Sequence, residues 1–228
     1  PGRSAISLIL LLFFLLGLVS FLTQKDSITN LTSKAYEVLE NTNLPFPTPK
    51  PRKQVLICES EAQNSPSKPC NYYQVAGLQE AIDKAERFTD IIVYKGVYSN
   101  ARLYVGVGNH PDIRNLRILG DHINATFDGG VRTEGQAIFT IGGDSSVVIR
   151  GVTMKNAWTA VYAKGKSRVK VAASVIEGQS EAGILSESQD EIKLRRNYIR
   201  NNPQTGILIR RGTATIENNL IYNNSGPG

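Results

Sequence analysis

The sequence predicts an all-β solenoid, a parallel β-helix, and three repeating registers in its second half carry that prediction. The first is Ala137-Ile138-Phe139-Thr140, Ala160-Val161-Tyr162-Ala163, Gly183-Ile184-Leu185-Ser186 and Gly206-Ile207-Leu208-Ile209, a small residue before an apolar-rich run, offset each time by 23 residues. The second is Val147-Val148-Ile149, Val169-Lys170-Val171, Ile192-Lys193-Leu194 and Ala214-Thr215-Ile216. The third begins at Val152, Ser174, Asn197 and Asn219, and a turn column of Asn156, Gly178, Asn201 and Asn223 closes each unit. Self-similarity at this period marks units that cannot bury an apolar face alone and must stack on their neighbours. A leucine-rich repeat of the same length would show fixed leucines and often a helix. Here the fixed positions are Val, Ile, Ala and Asn in strand-length runs broken by Gly and Asn.

Alternate residues of a strand face opposite ways. Val147 and Ile149, Val169 and Val171, Ile192 and Leu194, and Ala214 and Ile216 are therefore expected to stack as core columns, with Lys170 and Lys193 pointing out. Asparagine suits the corners, because it tolerates left-handed backbone and its amide can bond the equivalent residue one coil away.

Taken from the N-terminus, the first feature is Ala5 to Leu22, eighteen residues without a charge, long enough to cross a bilayer. A cleaved signal peptide competes with this reading, but no small-residue cleavage site follows. The reading is an uncleaved anchor over residues 1–22. Arg3 before the span places the N-terminus inside and the body outside, at a single-pass cell-membrane location. Residues 23–53 read as a linker, since Pro45, Pro47, Pro49 and Pro51 force an extended spacer. The domain is expected over 54–228. The whole chain's 41% hydrophobic content supports a sizeable core, and its net charge of +6 is too mild for a nucleic-acid footprint.

Cys58 and Cys70, the only cysteines, are expected to pair in an exported protein. A metal pair is the weaker alternative, since neither cysteine has a histidine at ligand spacing; no metal and no cofactor is expected. Leu78 to Ala85 has helical spacing and precedes a strand at Ile91 to Tyr94. Solenoid ends need covering, and this helix is placed to cap the stack. At the other end no such element follows Ile216, so the chain is expected to continue further or to be covered there by a partner.

The stretch LQEAIDKAERFTDIIVYKGVYSN, followed by repeats such as GILSES and GILIRRGTATIENNLIYNN, resembles the right-handed parallel β-helix superfamily, also called pectin-lyase-like, over about residues 72–224. Ala81-Ile82, Asp90 and Gly96-Val97-Tyr98 match its opening motif. The resemblance implies a right-handed coil. It implies little about activity, because lyases, hydrolases, esterases, epimerases and inert fibres share the fold.

A hydrolase would need two carboxylic acids on one face. Asp121, Asp128 and Asp144 qualify by existence alone and each sits beside glycine, where a short acid caps backbone amides. No Asp-rich cluster suits a lyase's calcium. Gln136 occupies a position that invites an oxyanion role, but the paired aspartates expected of an esterase are absent, and Asn156 to Ala160 departs from that pattern.

Two surface features suggest binding. Phe139, Tyr162, Leu185 and Leu208, one residue out of phase with Ile138, Val161, Ile184 and Ile207, form an apolar stripe that is either exposed or covered by a loop. Lys193, Arg195, Arg196, Arg200, Arg210 and Arg211 form a basic run without an acid between Glu191 and Glu217. Guanidinium groups match carboxylates, although such runs are also ordinary solvated faces. The candidate ligand-binding residues are thus Tyr162, Leu185, Arg195, Arg196, Arg200, Arg210 and Arg211, and the candidate partner is an acidic polysaccharide. The expected function is a membrane-anchored, surface-displayed module binding polysaccharide or another envelope component. The alternatives are a polysaccharide-active lyase, hydrolase or esterase, and a structural spacer.

Overall fold

The computed structural model describes residues 52–121 and 124–226. The expected anchor and nearly all of the expected linker lie outside the described residues, and no described helix is long and apolar enough to cross a membrane. The described residues coil into three parallel sheets. In stacking order the first contains β2 (Tyr72–Tyr73), β1 (Lys53–Cys58), β3 (Thr89–Val93), β6 (Leu116–Gly120), β9 (Ser146–Arg150), β12 (Arg168–Ala172), β15 (Glu191–Arg195) and β18 (Thr213–Glu217). The second contains β4 (Gly96–Ser99), β7 (Ala125–Asp128), β10 (Val152–Lys155), β13 (Val175–Glu177), β16 (Tyr198–Arg200) and β19 (Leu220–Tyr222). The third contains β5 (Leu103–Val105), β8 (Ala137–Ile141), β11 (Thr159–Gly165), β14 (Ala182–Ser188) and β17 (Thr205–Ile209).

The expected core columns form where a coil lies on both sides. Ile118, Ile149, Val171 and Leu194 stand opposite one another through successive strands, as do Leu116, Val147, Val169 and Ile192, and all eight are buried. Each such aliphatic side chain is worth about 1.5–3 kcal/mol on burial. Ala214 and Ile216 were expected to join them and do not. They continue the register on β18, but β18 ends the sheet among the described residues and Ile216 is 47% exposed. In the early coils the interior is aromatic, with Phe127 ringed by Tyr98 at 5.4 Å and Phe139 at 5.2 Å.

The corners divide between two residues the work the sequence reading assigned to one. Asn156, Gly178, Asn201 and Asn223 all have positive φ, between 54° and 71°, a conformation that Asn and Gly adopt at least cost. The ladder of amides belongs to the next position. Ala157 N–H donates to Gln179 Oε1 at 2.9 Å, Gln179 N–H to Asn202 Oδ1 at 2.9 Å, and Asn202 N–H to Asn224 Oδ1 at 3.1 Å. Gln179 and Asn202 are fully buried, so their side chains satisfy backbone groups that no water reaches. A second ladder turns the other short corner, where Ser174 N–H donates to Asn197 Oδ1 at 3.1 Å and Asn197 N–H to Asn219 Oδ1 at 2.9 Å.

At the N-terminal side the helix α1 (Gln74–Asp83) buries Leu78, Ala81 and Ile82, all part of the common core cluster. The Gln79 side chain fastens it to β5, accepting from Tyr104 N–H at 2.8 Å and donating to Tyr104 O at 3.1 Å. Just before it, Cys58 and Cys70 are joined by a disulfide, with Cα atoms 5.8 Å apart, which ties the loop after β1 back onto that strand.

Candidate functional site: a basic groove on the first sheet

The outward residues of the first sheet form two columns, fixed by the same register as the core. One runs Asp90, Arg117, Val148, Lys170, Lys193, Thr215; the other runs Leu119, Arg150, Ala172, Arg195, Glu217. Between them lies a groove of about 370 Å³ lined by Arg117, Arg150, Lys170, Arg195 and Arg196 over a floor that includes Leu119, Val148, Ala172 and Ala173. Neighbouring strands lie about 4.8 Å apart, so the cations are spaced along the coil axis at close to one per coil. Arg196 joins them from the corner, held outward by its own left-handed backbone with φ 56°.

The charge of this groove is not cancelled. Arg117 is held by Asp90, through Nε at 2.7 Å and through its terminal nitrogen, while Arg52 meets the same carboxylate. Burial pushes the Asp90 carboxyl up, but hydrogen bonds from Arg117 and Arg52 outweigh it and hold it below the usual carboxylate range. Arg195 reaches Glu217 only at 3.8 Å. Arg150, Lys170 and Arg196 pair with no carboxylate among the described residues. Exposed cations of this kind, lined up over an apolar floor, suit a ligand that carries repeated negative charge and some apolar surface.

The structure scatters the other basic candidates. Arg200 follows Arg195 by five residues, but a corner intervenes, and on β16 it donates to Glu177 at 2.9 Å and to Tyr222 Oη at 2.9 Å. Arg210 leaves the third sheet and pairs with Glu187 at 2.9 Å and Glu181 at 3.7 Å. Arg211 is exposed beside it. Lys193 pairs with Glu191 at 2.9 Å. Arg195, Arg200 and Arg210 of the run that is free of acids in sequence are therefore met by acids from adjacent coils, and only Arg195 and Arg196 of it line the groove.

The apolar stripe is also corrected. Phe139 stands opposite Val161, not Tyr162, because the offset from β8 to β11 is 22 residues while that from β11 to β14 is 23, as Val161 opposite Ile184 shows. Phe139 is consequently a core residue. Tyr162, Leu185 and Leu208 do share a column, but Leu185 is 1% exposed. Arg210 reaches both Glu181 and Glu187, which flank Leu185 along the chain.

Two of the three carboxylates considered for catalysis are engaged in other contacts. Asp128 accepts from Gly130 N–H at 2.9 Å and pairs with Lys155 at 3.5 Å; Asp144 pairs with Arg114. Gln136 accepts from Arg102 Nε at 2.9 Å, and Arg102 also holds the carbonyls of Gly129 and Val131, so this glutamine serves the loop before β8.

Residues 136–228 match the family described as right handed beta helix region. That stretch has the repeats of a right-handed β-helix, and the described residues coil as a parallel β-solenoid. No curated protein and no solved structure matches it. Sequence reading missed Arg117, Arg150 and Lys170 as site residues. The signal for Arg150 and Lys170 is present all the same, since stepping back one period from the outward Arg195 lands on Ala172, then Arg150, and from Lys193 on Lys170, whereas Arg117 lies outside the regular period.

Proposed function

We propose that this β-helix is a binding module that holds a linear acidic polysaccharide along the groove of its first sheet. The observation that carries the reading is the row of cations on one outward face, three of which have no acid partner among the described residues. A uronate chain laid along the coil axis meets a guanidinium or ammonium group at nearly every coil, with sugar faces against Leu119, Val148 and Ala172. The module is displayed outside the cell, on an anchor at residues 1–22 and a spacer that ends before β1, with α1 as the cap of the stack. The Cys58–Cys70 disulfide supports an oxidising compartment.

The test is retention of the full chain on immobilised polygalacturonate across a salt gradient. The parent is retained and elutes as salt rises, because exposed charge pairs are screened over about 8 Å at physiological ionic strength. Arg150→Ala with Lys170→Ala removes two unpaired cations, and at up to about 1 kcal/mol for each exposed pair the double variant binds on the order of tenfold more weakly. Equal retention of parent and variant, or no retention of the parent, overturns the reading. Shortening of the polymer by the purified chain replaces it with an enzyme.

A further inference from the structure

The outer face of the third sheet carries a different set of groups. Trp158, the chain's single tryptophan, sits half-buried at the corner before β11, its ring edge-to-face with Tyr162 at 6.4 Å. The Tyr162 hydroxyl donates to Glu187 at 2.5 Å, Glu187 accepts from Arg210 at 2.9 Å, and Arg210 reaches Glu181 at 3.7 Å. Glu181 lies one coil beyond Trp158, its N–H donating to Trp158 O at 2.9 Å. Lys164 stands 5.7 Å from the centre of the Tyr162 ring. Two carboxylates, one guanidinium and one ammonium therefore cancel within this network, with Arg211 exposed at its margin, in contrast to the first sheet.

We infer that this face is a second binding site and that its ligand is a neutral glycan, a hexopyranose oligomer. An ionic ligand would have to break the chain from Tyr162 through Glu187 and Arg210 to Glu181, whereas a polyhydroxyl ligand adds to it. Carboxylate and guanidinium groups locked by one another present fixed acceptors and donors for neighbouring hydroxyls, at little further loss of side-chain freedom. The two aromatic rings offer apolar surface for the C–H face of a sugar. The Trp158 Nε1–H makes no hydrogen bond among the described residues, which leaves one more donor at the edge of the platform. The site is independent of the acidic-polymer groove.

The lone tryptophan reports directly on it. Titrating the full chain with cellohexaose, mannohexaose and maltohexaose, and with hexagalacturonate as the acidic comparator, is expected to shift the intrinsic emission saturably for at least one neutral hexamer and not for the acidic one. Calorimetry with that hexamer follows the variants. Trp158→Ala weakens binding about tenfold or more, Trp158→Phe recovers part of the loss, and Arg150→Ala with Lys170→Ala leaves it unchanged. An emission response to none of the neutral hexamers, an equal response to the acidic one, or full binding by Trp158→Ala overturns the inference. Retention on polygalacturonate by Trp158→Ala shows in the same experiment that the groove stands or falls separately.

Discussion

Asn201 and Asn202 are adjacent and chemically identical, yet the fold predicts opposite sensitivities for them. Asn201 is exposed, with φ 55°, and makes its contribution through backbone conformation. Replacement by Gly keeps that conformation available, and as a surface change it is expected to alter stability by no more than about 0.5 kcal/mol. Replacement by Val forces a β-branched residue into the left-handed region, at about 1–2 kcal/mol. Asn202 is fully buried; its Oδ1 accepts from Gln179 N–H at 2.9 Å and its Nδ2 donates to Asn224 Oδ1 at 2.9 Å. Asn202→Ala strands a buried N–H, at about 1–3 kcal/mol, and also forfeits a hydrogen bond of about 1 kcal/mol. The expected loss is therefore about 2–4 kcal/mol, several times that of Asn201→Gly. Urea unfolding followed by far-ultraviolet circular dichroism measures both variants against the parent. A loss below about 0.5 kcal/mol for Asn202→Ala, or equal losses for the two, refutes the division of labour at the corner.

Three further outcomes follow from local geometry. Replacing Cys58 and Cys70 by Ser is expected to cost about 3 kcal/mol by the loop-entropy account, seen as an earlier urea midpoint in the variant than in the oxidised parent. Burial, and then the hydrogen bond to Glu187, pushes the Tyr162 hydroxyl up to about 12, while hydrogen bonds from Tyr162 and Arg210 lower Glu187. A raised folded-state value means stability falls as pH rises from about 10 to about 12, and a lowered carboxylate means the Glu187 contribution is present above the ordinary carboxylate range and lost on acidification below it. Thermal midpoints of Tyr162→Phe should accordingly fall less steeply between pH 10 and 12 than those of the parent. A Cβ at Gly120 would lie 2.2 Å from the Gly151 carbonyl oxygen one coil on, so Gly120→Ala is expected to lower stability by about 1–3 kcal/mol, read from the same urea curves.

The coil was legible because its signal is periodic. Val169, Val171, Ile192 and Leu194 announce one buried face by alternation and one stack by period, and both statements survive in the structure. Registers failed where the period changed: a single residue fewer between β8 and β11 moved Phe139 from an imagined surface stripe into the core beside Phe127. The binding surface was less legible, because a linear reading joins Arg195 to Arg200 when the chain turns a corner between them. What counts on a solenoid is the neighbour 22 or 23 residues away, as Glu177 is for Arg200 and Glu187 for Arg210. The burial of Leu185, in one column with Tyr162 and Leu208, is likewise set by the packing of coils and not by residue type.

The constancy of register along the first sheet makes length a quantity the molecule can change in whole steps. Val147, Val169 and Ile192 face one another in succession, as do Ile149, Val171 and Leu194. Remove the turn that contains β12, β13 and β14, and Val147 comes to lie opposite Ile192 with its neighbours still matched and no seam between them. The shortened protein would lose Lys170 from the groove and little else from the logic of its interior, while a duplicated turn would add one cation and about 4.8 Å of reach. A lineage built on such a coil can therefore lengthen or shorten its outward groove by copying or deleting a block of sequence, without redesigning a fold.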